Sequence, residues 1–408
     1  MEKRKYQETH PWISFRFNPM TLGPGTLIKL GEALSKCDHV CGAPLPPSAA
    51  QELNKVSLTK GIHATTSIEG NALTEEEVEK RIEGKLTLPD SLEYQGAEID
   101  NLLEIFNEIA NLSIKGELPP LSIDLIKSWN ERILQDQPLG EDVTPGEFRY
   151  HSVVVGKKDY RGAPDYRGAP AEDCPYLMDR FISFITKELQ TDDATWHKPL
   201  WIIRPIIAHL YFAWIHPFGD GNGRTARLIE LYLLLNAGIP IPSAHILSDY
   251  YNRSRGRYYQ ALKQASKTGD YEQGMASFID YAVTGFVEGL QEQVARIEKI
   301  QILIAWESFV HEITAAHGHN KTWARRRVLA WNLPYITNDD NFIRNADIRY
   351  ANMELAKLYE GKSEKTVTRD LNALVECELA RRQEKTKNYY ASNIKRMAAF
   401  LHHSGNQA

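Results

Sequence analysis

Residues 216–227 read His-Pro-Phe-Gly-Asp-Gly-Asn-Gly-Arg-Thr-Ala-Arg, and this stretch determines how the chain around it folds. Upstream of it, apolar residues recur every three or four positions, which predicts a buried helix: Ile203, Ile206, Ile207, Leu210 and Trp214. Downstream, a second apolar helix ends at Gly238, with Pro240 just beyond it. The glycines between the two helices disfavour regular structure and permit positive φ angles. The sequence therefore predicts a glycine-rich loop that leads into the N-terminus of a helix.

The side chains of this loop are suited to binding a polyphosphate. A helix N-terminus attracts anions because its first N–H groups lack acceptors and its dipole is positive there. Arg224 and Arg227 lie three residues apart, so both can reach phosphates from one face of the helix. Asp220 is a hard carboxylate ligand suited to Mg²⁺, which keeps several waters and bridges phosphates. His216 is the nearby group that can take up a proton near neutral pH, which makes it the candidate general base.

The order H-x-F-x-D-G-N-G-R-x-x-R resembles the signature of the Fic family at every position. The resemblance extends over about residues 10–290 and implies a mainly α-helical fold with a short β-hairpin flap. It also implies the transfer of AMP from ATP to a Ser, Thr or Tyr hydroxyl of a protein, the chain itself included. In the related death-on-curing toxins, which phosphorylate their target, a lysine stands where this chain has Gly223. Gly223 therefore favours nucleotide transfer.

The same resemblance assigns roles to individual residues. It implies that His216 deprotonates the target hydroxyl and that Asp220 holds Mg²⁺, with Mn²⁺ as an alternative. It implies that Arg224 binds the β- and γ-phosphates and Arg227 the γ-phosphate. The expected ATP-binding residues are Gly221, Asn222, Gly223, Arg224, Thr225, Ala226, Arg227 and Tyr258. Removal of AMP, with Glu69 orienting a water molecule, remains an alternative net reaction.

A second motif, Thr-Thr-Ser-Ile-Glu-Gly-Asn at residues 65–71, lies far upstream of the loop. Thr74 and Glu77 form a predicted capping box, so a new helix begins there and the preceding one ends near Gly70. Glu69 then lies at a helix C-terminus, where the negative end of the dipole disfavours a carboxylate. This position suggests that a cation pairs with Glu69.

The motif resembles the inhibitory-helix pattern of Fic proteins, (S/T)-x-x-x-E-(G/N), through Thr65, Glu69 and Gly70. The resemblance implies that Glu69 pairs with Arg227 and occupies the space that the γ-phosphate of ATP needs. One guanidinium can serve the carboxylate or the phosphate but not both. We therefore expect an autoinhibited enzyme, of the class that carries its inhibitory helix N-terminal to the core.

The β-branched run Val153, Val154 and Val155 predicts a short exposed hairpin. The resemblance implies that this hairpin is the flap, which holds a segment of the target protein by strand addition. Directly afterwards, the sequence Asp159–Pro164 is repeated without change as Asp165–Pro170. We interpret the repeat as a local duplication that lengthens a loop, either without consequence or with a role in the choice of target.

Residues 321–395 differ from the rest of the chain in charge. They contain 15 Lys or Arg against 10 Asp or Glu, which leaves 33 against 43 elsewhere. A helix at 352–359, a turn, a helix at 365–375 and a hairpin at 379–391 resemble a winged helix-turn-helix. Its second helix is predicted to expose groups that can contact DNA: Lys365, Thr366, Thr368 and Arg369. Such modules also bind proteins or form homodimers, so DNA and protein partners both remain open.

The predicted organisation follows from these motifs. It comprises an N-terminal helical region with the inhibitory helix (1–115), a catalytic core (116–290), a helical linker (291–320), the winged helix (321–395) and a tail (396–408). Four cysteines make no disulfide framework, and no stretch is long and apolar enough for a membrane span, so we expect a cytoplasmic protein without a membrane partner.

A different class of function is a DNA-binding regulator that only senses ATP. It is disfavoured because a sensor needs neither His216 nor a flap.

Overall fold

The computed structural model describes residues 3–158, 164–191, 193–267, 269–318, 320–338, 340–384 and 386–398, with the backbone alone for 156–158, 164–165 and 398. The chain divides into two compact units, Met1–Val294 and Ala295–Ala408. Helices dominate both units and the strands are few and short, which confirms the predicted fold class. None of the described helices combines the length and the apolar character needed to span a lipid bilayer.

The first unit consists of helices and one hairpin. Its helices are α1 (Tyr6–Thr9), α2 (Pro24–Gly42), α3 (Pro47–Ile68), α4 (Glu75–Ile82), α5 (Glu93–Lys115), α6 (Ile123–Ile133), α7 (Cys174–Ser183), α8 (Ala194–His197), α9 (Leu200–Ile215), α10 (Asn222–Asn236), α11 (Ile241–Ala244), α12 (Ile246–Arg253) and α13 (Arg255–Ala265). A π-helical turn, Phe184–Glu188, follows α7. Helix α14 (Tyr271–Ala315) begins in the first unit and continues past residue 294.

Helices α9 and α10 form the centre of the first unit. Helix α9 is apolar on almost every side, as expected of a helix surrounded by others, and the residues of its predicted stripe are all buried. Helix α10 packs against α9 and also contacts α3, α5 and α6. The loop 216–221 between α9 and α10 is therefore held by two helices that cannot move without disrupting the core.

Helix α3 ends where local chemistry stops it. Gly70 has a φ of 107°, which an L-residue rarely adopts, and the N–H of Gly70 donates to the carbonyl of Ser67. Helix α4 then begins with the predicted capping box, in which the Glu77 N–H donates to Thr74 Oγ1 over 3.3 Å and the Thr74 N–H donates to Glu77 Oε2 over 2.8 Å. The turn that carries Glu69 therefore lies between the end of α3 and the capped start of α4.

The hairpin consists of β1 (Val154–Lys158) and β2 (Pro164–Arg167), which pair in antiparallel fashion. Val154 lies opposite Arg167, and the Gly168 N–H donates to the Val153 carbonyl over 3.2 Å. The N-terminal segment supports β2, because the ring Nε2 of His10 lies 2.9 Å from the Arg167 carbonyl. These contacts use the second copy of the repeated hexapeptide, and residues 159–163 of the first copy lie outside the described residues.

The second unit pairs helices with a small sheet. It contains α15 (Lys321–Ile336), α16 (Met353–Leu358), α17 (Glu364–Glu376), β3 (Ile343–Arg344), β4 (Ala380–Arg382) and β5 (Tyr389–Ser392). The strands form an antiparallel sheet in the order β3-β5-β4, and the two-residue β3 was not predicted. Arg325 makes two hydrogen bonds to the buried Asp370, at 2.6 and 3.0 Å, and the Tyr359 hydroxyl donates to the same carboxylate. Because the charge is paired and hydrogen-bonded, Asp370 can lie in this core.

Candidate active site

His216 forms the C-terminal cap of α9. Its backbone is left-handed (φ 53°, ψ 57°), which is uncommon for a residue other than glycine, and its N–H donates to the Phe212 carbonyl over 2.9 Å. Its Nδ1 lies 3.4 Å from the Ala213 carbonyl oxygen. Because a carbonyl can only accept, Nδ1 carries the hydrogen and Nε2 keeps its lone pair. Burial, and then the charge of Arg149, lower the pKa of His216 to about 4, so the ring is a neutral base at pH 7.

The loop after His216 is closed by the side chain of Asn222. Its Oδ1 accepts from the Phe218 N–H over 2.9 Å, and its Nδ2 donates to the Phe218 carbonyl over 2.8 Å. Gly221 has a φ of 73°, and the Asn130 Nδ2 donates to the Asp220 carbonyl over 3.0 Å. Asn222 therefore has its amide engaged within the loop, and what it can offer an anion is its backbone N–H at the start of α10.

Arg227 and Glu69 form an ion pair. Arg227 Nη2 donates to Glu69 Oε1 over 2.5 Å and to the Thr65 carbonyl over 3.0 Å. The Arg227 side chain is 1% exposed and that of Glu69 is 32% exposed. Among the described residues, Nε and Nη1 of Arg227 have no hydrogen-bond partner. Burial raises the pKa of Glu69, but the charge and hydrogen bond of Arg227, with the charge of Arg224, outweigh it and lower this pKa.

The Glu69 carboxylate lies against the N-terminus of α10. A Cβ atom at Gly223 would collide with Glu69 Oε1, so only glycine leaves room for the carboxylate at this place. The first N–H groups of a helix bind anions, and here the nearest anion belongs to the protein itself. The structure thus brings a carboxylate to the position where the sequence predicts a phosphate.

Arg224 is paired with Glu98, which the sequence did not single out. Its Nη1 donates to Glu98 Oε1 over 2.6 Å, and its Nη2 lies 3.3 Å from Asp220 Oδ1. Asn71 Nδ2 donates to the other oxygen of Glu98 over 2.8 Å. Burial raises the pKa of Glu98, although Arg224 opposes this. The sequence did contain a signal that Glu98 is buried, because it falls in the apolar stripe of α5 with Leu102, Ile105 and Ile109.

Asp220 is the candidate metal ligand. Its side chain is 47% exposed, and its Oδ1 lies 3.3 Å from Arg224 Nη2 in the first turn of α10. The described residues contain no group of three His, Cys, Asp or Glu side chains that could hold a metal ion by themselves. One accessible carboxylate fits Mg²⁺, which is held mainly by phosphate oxygens and water at such sites.

A cavity of about 800 Å³ opens beside the loop. Its polar lining includes His216 and Glu69, and its aromatic lining includes Tyr258 and Tyr259. The size lies within the range of small-molecule sites, and aromatic walls with a few polar groups are typical of them. The Tyr258 hydroxyl lies 2.9 Å from the ring Nε2 of the buried His209, another residue that sequence reasoning missed.

The other predicted site residues differ in whether they line the cavity. Ala226 and Val155 line the cavity, whereas Thr225 is fully buried, with its hydroxyl 3.4 Å from Asn130 Nδ2. Thr65 contributes its carbonyl oxygen, and its hydroxyl has no partner among the described residues. Val154 is 49% exposed on the hairpin.

Comparisons with known proteins show what this chain is similar to. Residues 120–234 match the family model described as Fic/DOC family. The chain is 29% identical over 239 residues to the protein adenylyltransferase Fic of Drosophila ananassae, covering 57% of this chain and 42% of that protein. It is 28% identical over 259 residues to the protein of the same name from Drosophila virilis, covering 60% and 45%. The chain thus spans less than half the length of these curated relatives.

A solved structure shares the fold. The crystal structure of a Fic family protein from Desulfovibrio desulfuricans G20 superposes with a TM-score of 0.54 at 17% sequence identity, and the match covers 92% of this chain and 97% of that one. Residues 120–234, which include α6 to α10 up to residue 234, are a Fic/DOC domain within a mainly helical fold.

Proposed function

We propose that this chain, with its Fic/DOC domain at 120–234, is a protein adenylyltransferase that moves AMP from ATP to a Ser, Thr or Tyr hydroxyl of a protein. The observation that carries the proposal is the arrangement around Arg227, where Glu69 occupies the anion-binding end of α10 next to a neutral His216. The curated relatives named protein adenylyltransferase support the same chemistry. We further propose that Glu69 holds the site in a resting, autoinhibited state.

In the proposed reaction, His216 Nε2 accepts the proton of the target hydroxyl. The hydroxyl oxygen forms a bond to the α-phosphorus of ATP, the bond from that phosphorus to the bridging oxygen of the β-phosphate breaks, and pyrophosphate leaves. The N–H groups at the start of α10 hold the phosphates, with the guanidinium groups of Arg224 and Arg227. Mg²⁺ or Mn²⁺ held by Asp220 would supply positive charge to the phosphate oxygens. Positioning and charge stabilisation dominate chemistry of this type.

The hairpin β1–β2 is the proposed docking site for the target segment. Within the described residues the sheet has only these two strands, so the outer edge of β1 offers backbone groups to a third strand. Val154 is exposed, and Val155 lines the cavity next to His216. A strand added to β1 would therefore pass the mouth of the cavity, where its hydroxyl meets the base.

Labelled ATP tests the proposal. The full chain, as wild type and as Glu69→Gly, is incubated with Mg²⁺ and candidate proteins, and label on protein is measured after denaturing electrophoresis. We expect label from [α-³²P]ATP and none from [γ-³²P]ATP, because AMP retains only the α-phosphorus. Label from the γ-position would mean phosphorylation, and no label with either variant would also contradict the proposal. Loss of label from a preloaded target would instead show that the chain removes AMP, with Glu69 as the group that orients water.

A second proposal concerns the second unit, which we infer to be a winged helix-turn-helix that contacts duplex DNA. Helix α17 exposes Lys365 and Arg369, and the β4–β5 hairpin follows it directly in sequence. Thr368 is less available, because its hydroxyl accepts from Asn345 Nδ2 over 2.7 Å. Lys and Arg on one exposed helix face bind phosphates and base edges.

Neutralising Lys365 and Arg369 together to glutamine should weaken binding to duplex DNA and flatten its salt dependence. Each lost phosphate contact should reduce the slope of log K against log salt by about one. The control is Lys115→Gln with Lys267→Gln, which removes the same charge from exposed positions of the first unit. Fluorescence anisotropy, recorded between low and moderate salt, measures the DNA affinity and its salt dependence for the two double variants. A wild-type chain without affinity at low salt would contradict the proposal and assign the unit to protein contact, including a homodimer that sedimentation would detect.

A further inference from the structure

Arg149 is a buried arginine whose partners are all backbone carbonyls. Its side chain donates from Nε to the His216 carbonyl over 2.7 Å, from Nη1 to the His151 carbonyl over 2.7 Å, and from Nη2 to the carbonyls of Ala169 and Ile215. The residue is 3% exposed, and no carboxylate of the described residues forms a salt bridge with it. Burying an unpaired charge is unfavourable, so a guanidinium with four hydrogen bonds to carbonyls and no paired carboxylate calls for an explanation.

The acceptors belong to two segments that must be aligned for transfer. Ile215 and His216 end helix α9 and carry the base, whereas His151 and Ala169 flank the hairpin on either side. The backbone of Arg149 adds a further link, because its N–H donates to the Pro217 carbonyl over 3.0 Å. A single residue therefore joins the main chain of the base to both ends of the hairpin.

The contacts also account for the unusual backbone of His216. A left-handed conformation is unfavourable for a residue with a Cβ, and the last carbonyls of a helix lack intrahelical donors. Arg149 supplies donors to two of these carbonyls, those of Ile215 and His216. Gly168 lies close to Arg149, to His216 and to the hairpin. A Cβ at Gly168 would lie 2.8 Å from Arg149 Nη2, 3.0 Å from the His216 Cβ and 3.1 Å from Val153 Cγ2.

We propose that Arg149 is a positioning residue for AMP transfer: it holds His216 in its left-handed conformation and at a fixed distance from the hairpin that presents the target hydroxyl. The inference rests on the proposed function. Arg149 acts through the backbone and touches neither nucleotide nor target. It also acts through its charge, which opposes protonation of His216, whereas the facing carboxylates Glu69 and Asp220 favour it.

The test replaces Arg149 by methionine, which has a similar length and no donors, in a Glu69→Gly chain so that transfer is not inhibited. We expect kcat to fall about a hundredfold, because a misplacement of roughly 1 Å in a reacting group has an effect of this size. ATP affinity, measured by calorimetry, should change by less than about twofold, since the phosphate contacts belong to α10. Arg149→Lys keeps the charge and part of the hydrogen bonding, so it should restore part of the rate.

Arg204→Met is the matched control, because Arg204 lies on the same helix as Ile215 and its Nε is buried without a partner among the described residues. It should leave kcat unchanged. A methionine variant that keeps its kcat, or that loses ATP affinity as strongly as kcat, would overturn the proposal. If the methionine variant does not fold, as judged by circular dichroism, the lysine variant decides by the same comparison.

A measurement independent of transfer separates this inference from the proposed function. The ring signal of His216 is followed by NMR in histidine-labelled protein and assigned by its loss in His216→Ala. Arg149→Met should shift this signal and raise the pKa of His216 above about 4, because a nearby positive charge is removed. An unchanged signal and pKa would refute the positioning role. If the Glu69→Gly chain transfers no AMP, the proposed function fails, whereas this arm still decides the role of Arg149.

Discussion

Replacing Glu69 by glycine should raise AMP transfer roughly ten- to a hundredfold over wild type under Mg²⁺ and ATP. A hydrogen bond to a charged group contributes about 1.5–3 kcal/mol, and each 1.4 kcal/mol corresponds to a factor of ten. In the resting protein, Arg227 Nη2 donates to Glu69 and the carboxylate occupies the space beside Gly223. Removing the carboxylate frees the guanidinium for the γ-phosphate and vacates the anion-binding end of α10.

The variant should be less stable while it is more active. Breaking a buried ion pair leaves Arg227 as an uncompensated charge, which is unfavourable. We therefore expect a lower melting temperature by calorimetry together with a higher rate of label transfer from [α-³²P]ATP. General loosening of the fold would not raise the rate, so the opposite signs of the two effects identify a specific inhibitory contact.

Three further variants test whether the release of Arg227 causes the expected gain in AMP transfer. Glu69→Gly combined with Arg227→Ala should lose the gain, because the freed guanidinium is absent. Glu69→Gln should give an intermediate rate, since it keeps the volume and loses the charge. Glu83→Gly is the matched control: Glu83 also caps a helix C-terminus and pairs with a cation, Lys55, but on α4. A Glu69→Gly chain no more active than wild type would remove the autoinhibition model.

Replacing His216 by alanine in the Glu69→Gly chain should lower AMP transfer by about 10²–10⁴-fold, the usual contribution of a general base. ATP affinity should stay within about twofold, because the phosphates contact α10 and its arginines. The exposed His197→Ala serves as the control and should leave both quantities unchanged. Transfer near the level of the parent would refute the assignment of His216 as the base.

The pH dependence follows from the lowered pKa of His216. Burial and Arg149 favour the neutral ring, which therefore accepts a proton at any pH above about 4. The rate that depends on His216 should be flat between pH 6 and 8 and should fall as the pH approaches about 4, because protonation removes the lone pair on Nε2. An acid limb centred near the ordinary histidine value of about 6.5 would show that the ring is not buried as described.

Local interactions are the part of this protein that the sequence by itself determined. The buried stripe of α9, the capping box of Thr74 and Glu77, and the helix end before Gly70 each depend on residues no more than a few positions apart. Periodicity, capping and backbone freedom act over such distances, so they can be predicted from the chain alone. The helix–loop–helix around residues 216–227 belongs to this class.

Contacts between distant segments were decided by the tertiary structure. Arg224 meets Glu98 across 126 positions and Arg149 meets the His216 carbonyl across 67, and neither partner could be chosen from spacing. The pairing of Glu69 with Arg227, 158 positions apart, was expected only through a family resemblance. Periodicity indicates which face of a helix is buried but not which helix covers that face. The partner of a buried charge is therefore known only once α3, α5 and α10 have packed together, since a buried ionic group is tolerated only where packing brings its partner to it.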